Sequence, residues 1–185
     1  MHDPGDDEGG SKRRSQRPKR PPRPLDEASL HALALHYVAR YATTRQKLAD
    51  YLRRKLRERP WDGPAPPDPG AIIARMASLG YVDDSGWAAM KSREMRARGL
   101  GPRRIAQTLA AAGVAAPASA ENPLLAALRF AEKKRLGPFA RTPGTDPAQT
   151  RRALAALLRA GHSFDVARQV LAAPTPAAAH ALLEA

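Results

Sequence analysis

Apolar positions recur along most of this chain at spacings of three and four, the period of an α-helix with one buried face. Leu30, Leu33, Ala34, Tyr37 and Val38 make such a face, and Asp26 stands ahead of them as an N-cap, predicting a first helix from Asp26 to about Tyr41. The chain turns at Ala42–Thr43. Thr43 and Gln46 have the spacing of a capping box, in which two side chains satisfy unpaired backbone N–H groups. The next helix sets Leu48, Leu52 and Leu56 in one stripe. After a proline-rich connector from Trp61 to Pro69, Asp68–Pro69 opens a third helix, with the carboxylate as cap and proline at the first position. Ile72, Ile73, Met76 and Leu79 are its buried side, and Gly80 ends it.

The pattern then restarts. Asp84 is expected to cap a helix bearing Trp87, Met90, Glu94 and Ala97, and Pro102 begins another with Ile105, Ala106 and Leu109. These fall 57 residues after Leu48, Ala49 and Leu52. A third version opens at Asn122–Pro123 with Leu124, Leu125, Leu128 and Phe130. It continues at Asp146–Pro147 with Leu154 and Leu158, 49 residues after Ile105 and Leu109, and a last strong helix holds Phe164, Val166, Ala167, Val170 and Leu171. Repetition at about 50 residues suggests stacked units, each too small to bury its face alone. β-branched residues are few, so the expected class is all-α. The expected divisions are a tail over 1–25, three-helix units over 26–80, 81–121 and 122–173, and a C-terminal tail or short helix over 174–185.

Charge adds what the hydrophobic pattern does not show. The 185 residues carry 31 Lys and Arg against 18 Asp and Glu, a net +13. Residues 27–185 keep 24 of the former and 13 of the latter, still +11, so the excess is not confined to a tail. A body this basic favours polyanions. The Gly-, Pro- and charge-rich residues 1–25 are expected to be disordered, and Lys12, Arg13, Arg14, Arg17, Lys19, Arg20 and Arg23 make a basic run within them. In the helical part, Arg45, Lys47, Arg53, Arg54, Lys55 and Arg57 share one helix, while Lys91, Arg93, Arg96, Arg98, Arg103 and Arg104 straddle a turn. Lys133, Lys134 and Arg135 end a helix, and Arg151 and Arg152 sit near the start of another. Few acids stand beside them, which makes a polyanion-binding surface the preferred reading over a merely solvated one.

Other chemistries are poorly represented. Cysteine is absent, and His31 and His36 are five apart, so they do not share a helix face as a metal pair would. Asp83–Asp84 point different ways on a helix and make a poor acid–base dyad. Gly99-Leu100-Gly101 lacks the remainder of a phosphate loop. No catalytic, cofactor or metal site is expected. With two Trp, four Tyr and three Phe, a continuous base-stacking platform is also not expected, and Trp87 and Phe130 read as core. The N-terminus lacks an apolar signal region and no run is long enough to span a bilayer, so a cytoplasmic protein without membrane contact is expected. No self-complementary apolar seam is visible, which favours a monomer.

Several short motifs, in order, resemble the RecX family. They are Ala34-Leu35-His36-Tyr37-Val38 through Thr44-Arg45-Gln46-Lys47-Leu48-Ala49-Asp50-Tyr51-Leu52, then Leu79-Gly80-Tyr81-Val82-Asp83-Asp84, then Gly101-Pro102-Arg103-Arg104-Ile105. Ala131-Glu132-Lys133-Lys134 and Leu158-Arg159-Ala160-Gly161-His162-Ser163-Phe164-Asp165-Val166-Ala167 complete a likeness over about residues 28–172. The resemblance implies tandem three-helix, helix-turn-helix-like repeats in an elongated, curved array. It also implies binding in the groove of the RecA nucleoprotein filament on single-stranded DNA, with suppression of ATP hydrolysis and strand exchange and no chemistry of its own. Two departures stand out. The stretch from Gly113 to Asn122 is too short for the third helix of the second repeat, so the middle repeat is expected to be abbreviated. Residues 135–147 form a Pro/Gly-rich loop in the third. The expected contact residues are Arg45, Lys47, Arg53, Arg54, Arg57, Arg96, Arg98, Arg103, Arg104, Lys133, Lys134, Arg151 and Arg152. Two other readings compete: a helix-turn-helix regulator binding duplex DNA without RecA, and a scaffold for an acidic protein.

Overall fold

A computed structural model describes residues 22–118, 121–141 and 146–184, so the basic run from Lys12 to Arg20 lies outside the described residues. The fold is all-α. The described residues form nine α-helices: α1 Glu27–Arg40, α2 Arg45–Glu58, α3 Pro69–Ser78, α4 Asp84–Ala97, α5 Pro102–Ala110, α6 Pro123–Lys134, α7 Pro147–Arg159, α8 Phe164–Ala172 and α9 Pro176–Ala181. A 3₁₀ turn spans Gly137–Phe139.

Three separate hydrophobic clusters organise these helices. In the first, α1, α2 and α3 close around Leu30, Leu48, Leu52 and Met76. Leu25, which composition assigns to the tail, is fully buried there, because Leu25 N–H donates to Pro60 O and Asp62 N–H donates to Leu25 O, both at 2.8 Å. The second cluster has only two helices: Trp87, Ala88 and Met95 of α4 meet Ile105 and Leu109 of α5. No helix forms from Val114 to Ala118. That stretch instead helps line a cavity of about 320 Å³ with Leu100, Ile105 and Ala126. In the third, Ala127, Leu128 and Ala131 of α6 pack with Leu157 of α7, Ala167 and Val170 of α8 and Ala179 of α9.

Most helix starts stand where the caps predict. Asp26 accepts from Ser29 N–H at 2.8 Å and Ser29 Oγ answers the Asp26 N–H, a reciprocal cap. Asp68, Asn122 and Asp146 each cap a helix whose first residue is proline. Two caps move by one residue. Thr44, not Thr43, caps α2 by accepting from Lys47 N–H, and Gln46 donates to Asp50 instead. Asp83, not Asp84, caps α4, accepting from Gly86 N–H at 3.0 Å. The helical phase of α7 also differs. Ala153 and Leu157 are buried where Leu154 and Leu158 are expected, and Leu158 is 39% exposed. The buried pair therefore stands one residue earlier than expected, a rotation of about 100°. Phe164, expected on the buried face of α8, is 53% exposed at its first turn.

Candidate nucleic-acid interface

Two joints position the charged faces. At the first, the start of α2 docks on the second cluster. Thr44 Oγ1 donates to Ala112 O at 2.7 Å in a buried bond, and Arg45 N–H donates to Asp84 Oδ1 at 2.8 Å. Lys47 Nζ lies over the Trp87 ring, 4.1 Å from its centroid. Burial first, and then the nearby Lys91 charge, pull the Lys47 pKa below the usual lysine value.

At the second joint, the turn before α5 abuts the turn between α7 and α8. Gly101 N–H donates to Ala160 O at 2.9 Å and Arg103 N–H to Gly161 O at 3.2 Å. The backbones touch so closely that a Cβ on Gly101 would overlap the carbonyl of Gly161 and the nitrogen of His162. Gly161 itself has φ +94°, a conformation that favours glycine, and a Cβ there would overlap Arg104. His162, 1% exposed, completes the joint. Since a carbonyl can only accept, its Nε2–H donates to Gly99 O at 3.0 Å, and its Nδ1 has no hydrogen-bond partner among the described residues. Burial holds the His162 pKa below the ordinary imidazole value, opposed by the Gly99 bond.

The thirteen expected contact residues fall into three kinds of setting. Arg45, Arg57, Arg103, Arg104, Lys133, Lys134, Arg151 and Arg152 are exposed. Arg103 and Arg104 occupy the first turn of α5 beside the second joint, and Arg104 Nη1 donates to Gln107. Arg53, Arg54 and Arg98 are exposed but share their charge with acids on the same helix. Arg53 meets Asp50 at 2.8 Å, Arg54 meets Glu58 at 3.6 Å and Arg98 meets Glu94 at 3.6 Å. The clusters are thus less single-signed than a reading by runs of basic residues implies. Lys47 and Arg96 are half-buried: the first covers Trp87, and the second pairs with Glu121 at 3.7 Å, which also meets Arg129 at 2.8 Å. That triad ties α4 to α6.

The structure also assembles a group that reading along the chain does not find. Three of the four tyrosines converge between α1 and α2. Tyr37 and Tyr51 stack with centroids 4.3 Å apart and planes at 17°, and Tyr41 leans on Tyr37 at 5.3 Å. Arg40 lies 5.8 Å from the Tyr41 ring centroid, with Arg54 at 5.6 Å and Lys55 at 5.8 Å from that of Tyr51. With His36 these residues line an open cleft of about 430 Å³. The available signal is the four-residue spacing of Tyr37 and Tyr41, which sets both on one side at the end of α1, while Tyr51 comes from the middle of α2.

Among the described residues no group of three His, Cys, Asp or Glu could hold a metal ion, and no helix is long and apolar enough to cross a membrane.

No family model matches the chain. The regulatory protein RecX of Myxococcus xanthus is 37% identical to it over 180 residues, covering 88% of this chain and 94% of that protein. The regulatory protein RecX of Agrobacterium fabrum is 32% identical over 162 residues, 82% of this chain and 86% of the relative. That of Acidithiobacillus ferrooxidans is 32% identical over 142 residues, 77% and 88% of the two chains.

Proposed function

The chain belongs to the RecX family of regulatory proteins, and on that premise we propose that it binds the RecA–single-stranded-DNA filament and suppresses RecA's ATP hydrolysis and strand exchange. The observation that carries this reading is a set of exposed cations that make no ion pair with an acid among the described residues, repeated on all three helical clusters: Arg45 and Arg57, then Arg103 and Arg104, then Lys133, Lys134, Arg151 and Arg152. Each contact with a phosphate or an acidic RecA edge is weak alone. Linked on one body they add, because each later contact forms at high effective concentration. The three clusters would act as the repeats of an array, with the two-helix cluster as its abbreviated middle. The two joints would hold the faces at fixed spacing, so that binding across adjacent RecA protomers biases their placement.

The test is ATP hydrolysis by RecA on single-stranded DNA, titrated with this protein at two salt concentrations. Inhibition below one protein per RecA, weakening as salt rises, is the expected result, since phosphate neutralisation releases counterions. Reversing both charges in Arg103→Glu/Arg104→Glu should weaken inhibition and lower the salt slope by about 2, one for each lost phosphate contact. Unchanged ATP turnover, with no co-sedimentation with the filament, would sink the proposal. Sequence-specific duplex binding without any effect on RecA would instead favour the helix-turn-helix regulator.

A further inference from the structure

We propose that the tyrosine-lined cleft between α1 and α2 is a stacking site for one unpaired nucleobase of a single-stranded nucleic acid. This rests on the nucleic-acid reading of the basic faces and gives it a base-contacting site.

Tyr37 and Tyr51 pack partly against the first core, which fixes their rings as a rigid floor. Tyr41 is different. It stands at the C-cap of α1, is 51% exposed and belongs to none of the three core clusters. A large aromatic face held partly in water by its neighbours gains on covering by another π-face, and every nucleobase offers one. The flanking charge suits the backbone such a base would carry. Arg40, Arg54 and Lys55 surround the rings, opposed by Glu58, which pairs with Lys55 at 2.7 Å and with Arg54 at 3.6 Å. Three cations against one acid leave a positive rim. The cleft, about 430 Å³, lies within the range of about 300–1,000 Å³ typical of ligand sites. Duplex DNA would meet the cations but keeps its base faces stacked on one another. An acidic peptide would likewise leave the rings uncovered. A single strand uses both features.

The experiment omits RecA. The full chain is titrated into a labelled oligothymidylate of about 12 nucleotides, within the usual span of single-strand sites, and into an abasic oligomer of equal length, with anisotropy as the readout. Tyr41→Ala should lower affinity for the oligothymidylate about 5- to 150-fold, the worth of one stacked base, and Tyr41→Trp should retain it. Abasic substitution should weaken the wild type more than Tyr41→Ala. Glu58→Gln, which leaves every ring in place, should raise affinity by freeing Arg54 and Lys55. The inference is overturned if Tyr41→Ala binds as the wild type does, if the abasic penalty is equal in both, or if duplex or polyglutamate competes as well as the single strand. The same variants in the RecA assay separate the two proposals. Filament inhibition without stacking overturns only this inference, and stacking without any effect on RecA overturns only the regulatory one.

Discussion

Substituting Gly101 by alanine isolates the second joint. Its φ of −77° is open to alanine, so the backbone itself is not strained. The added methyl has no room, because the atoms it meets are the carbonyl of Gly161 and the nitrogen of His162, main chain that cannot swing aside. The two turns must part, endangering the Gly101–Ala160 and Arg103–Gly161 hydrogen bonds at 2.9 and 3.2 Å. Each is worth about 0.5–1.5 kcal/mol, and overpacking adds about 1–3 kcal/mol. Set against a gain of about 0.4–1 kcal/mol from a stiffer unfolded chain, the net cost is about 1–5 kcal/mol. Gly80→Ala is the control. Its φ of +77° is unfavourable to alanine, but no atom lies within 4 Å, so it reports backbone strain alone, about 1–2 kcal/mol. Urea unfolding followed by far-ultraviolet circular dichroism gives both numbers. The Gly101 variant should also lose cooperativity, because parting the turns leaves a two-helix cluster with little core of its own. A Gly101→Ala unfolding free energy within about 0.5 kcal/mol of wild type would refute the close approach, since surface substitutions alone lie in that range.

The first joint yields a paired test: Thr44→Val removes the buried bond to Ala112 O and the α2 cap, costing about 2–4 kcal/mol. Thr43→Val, whose buried Oγ1 has no hydrogen-bond partner among the described residues, should be neutral or stabilising, and equal costs by thermal or urea unfolding would refute the assignment of the cap to Thr44. His162 gives a pH dependence of defined sign. Its folded pKa is lowered, so the unfolded chain binds the proton more readily, and stability present above the ordinary imidazole value of 6.5 is lost as pH falls through and below it. The urea midpoint should therefore drop toward about pH 5 more steeply in wild type than in His162→Gln, which keeps an N–H donor but does not titrate, by at most about 1.4 kcal/mol per pH unit; parallel pH profiles would refute it.

What could be read from the sequence follows from where the deciding atoms lie. Asp26, Asp68, Asn122 and Asp146 were legible as caps because each satisfies N–H groups two or three residues away, and proline at the next position marks three of them. Thr43/Thr44 and Asp83/Asp84 were off by one because adjacent residues are equally good caps. The structure shows what distinguishes them: Thr44 also reaches Ala112, and Asp84 is occupied by Arg45 from another helix. The phase of α7 failed similarly, since Leu157-Leu158 offers apolar side chains on two faces and only the packing against α8 selects one. The charged surface is legible as an excess, but its partial neutralisation by Asp50, Glu58 and Glu94 shows only in three- and four-residue spacings, not in runs of basic residues. The tyrosine cleft depends on α1 pairing with α2, which no local pattern states.

The two joints differ in what they are made of. The first depends on particular side chains: a threonine hydroxyl, an aspartate and a lysine lying on a tryptophan. The second is mostly main chain against main chain, conditional on glycine at 101 and 161, with one histidine behind it. A joint of backbone atoms does not distinguish one side-chain set from another. Residues from Asn122 onward should thus be exchangeable with the corresponding part of a relative that carries both glycines and an arginine in the place of Arg129 to meet Glu121, and the chimera should fold. A graft at the Thr44 end would need its tryptophan and aspartate partners transplanted with it. The chain is modular at one seam and bespoke at the other.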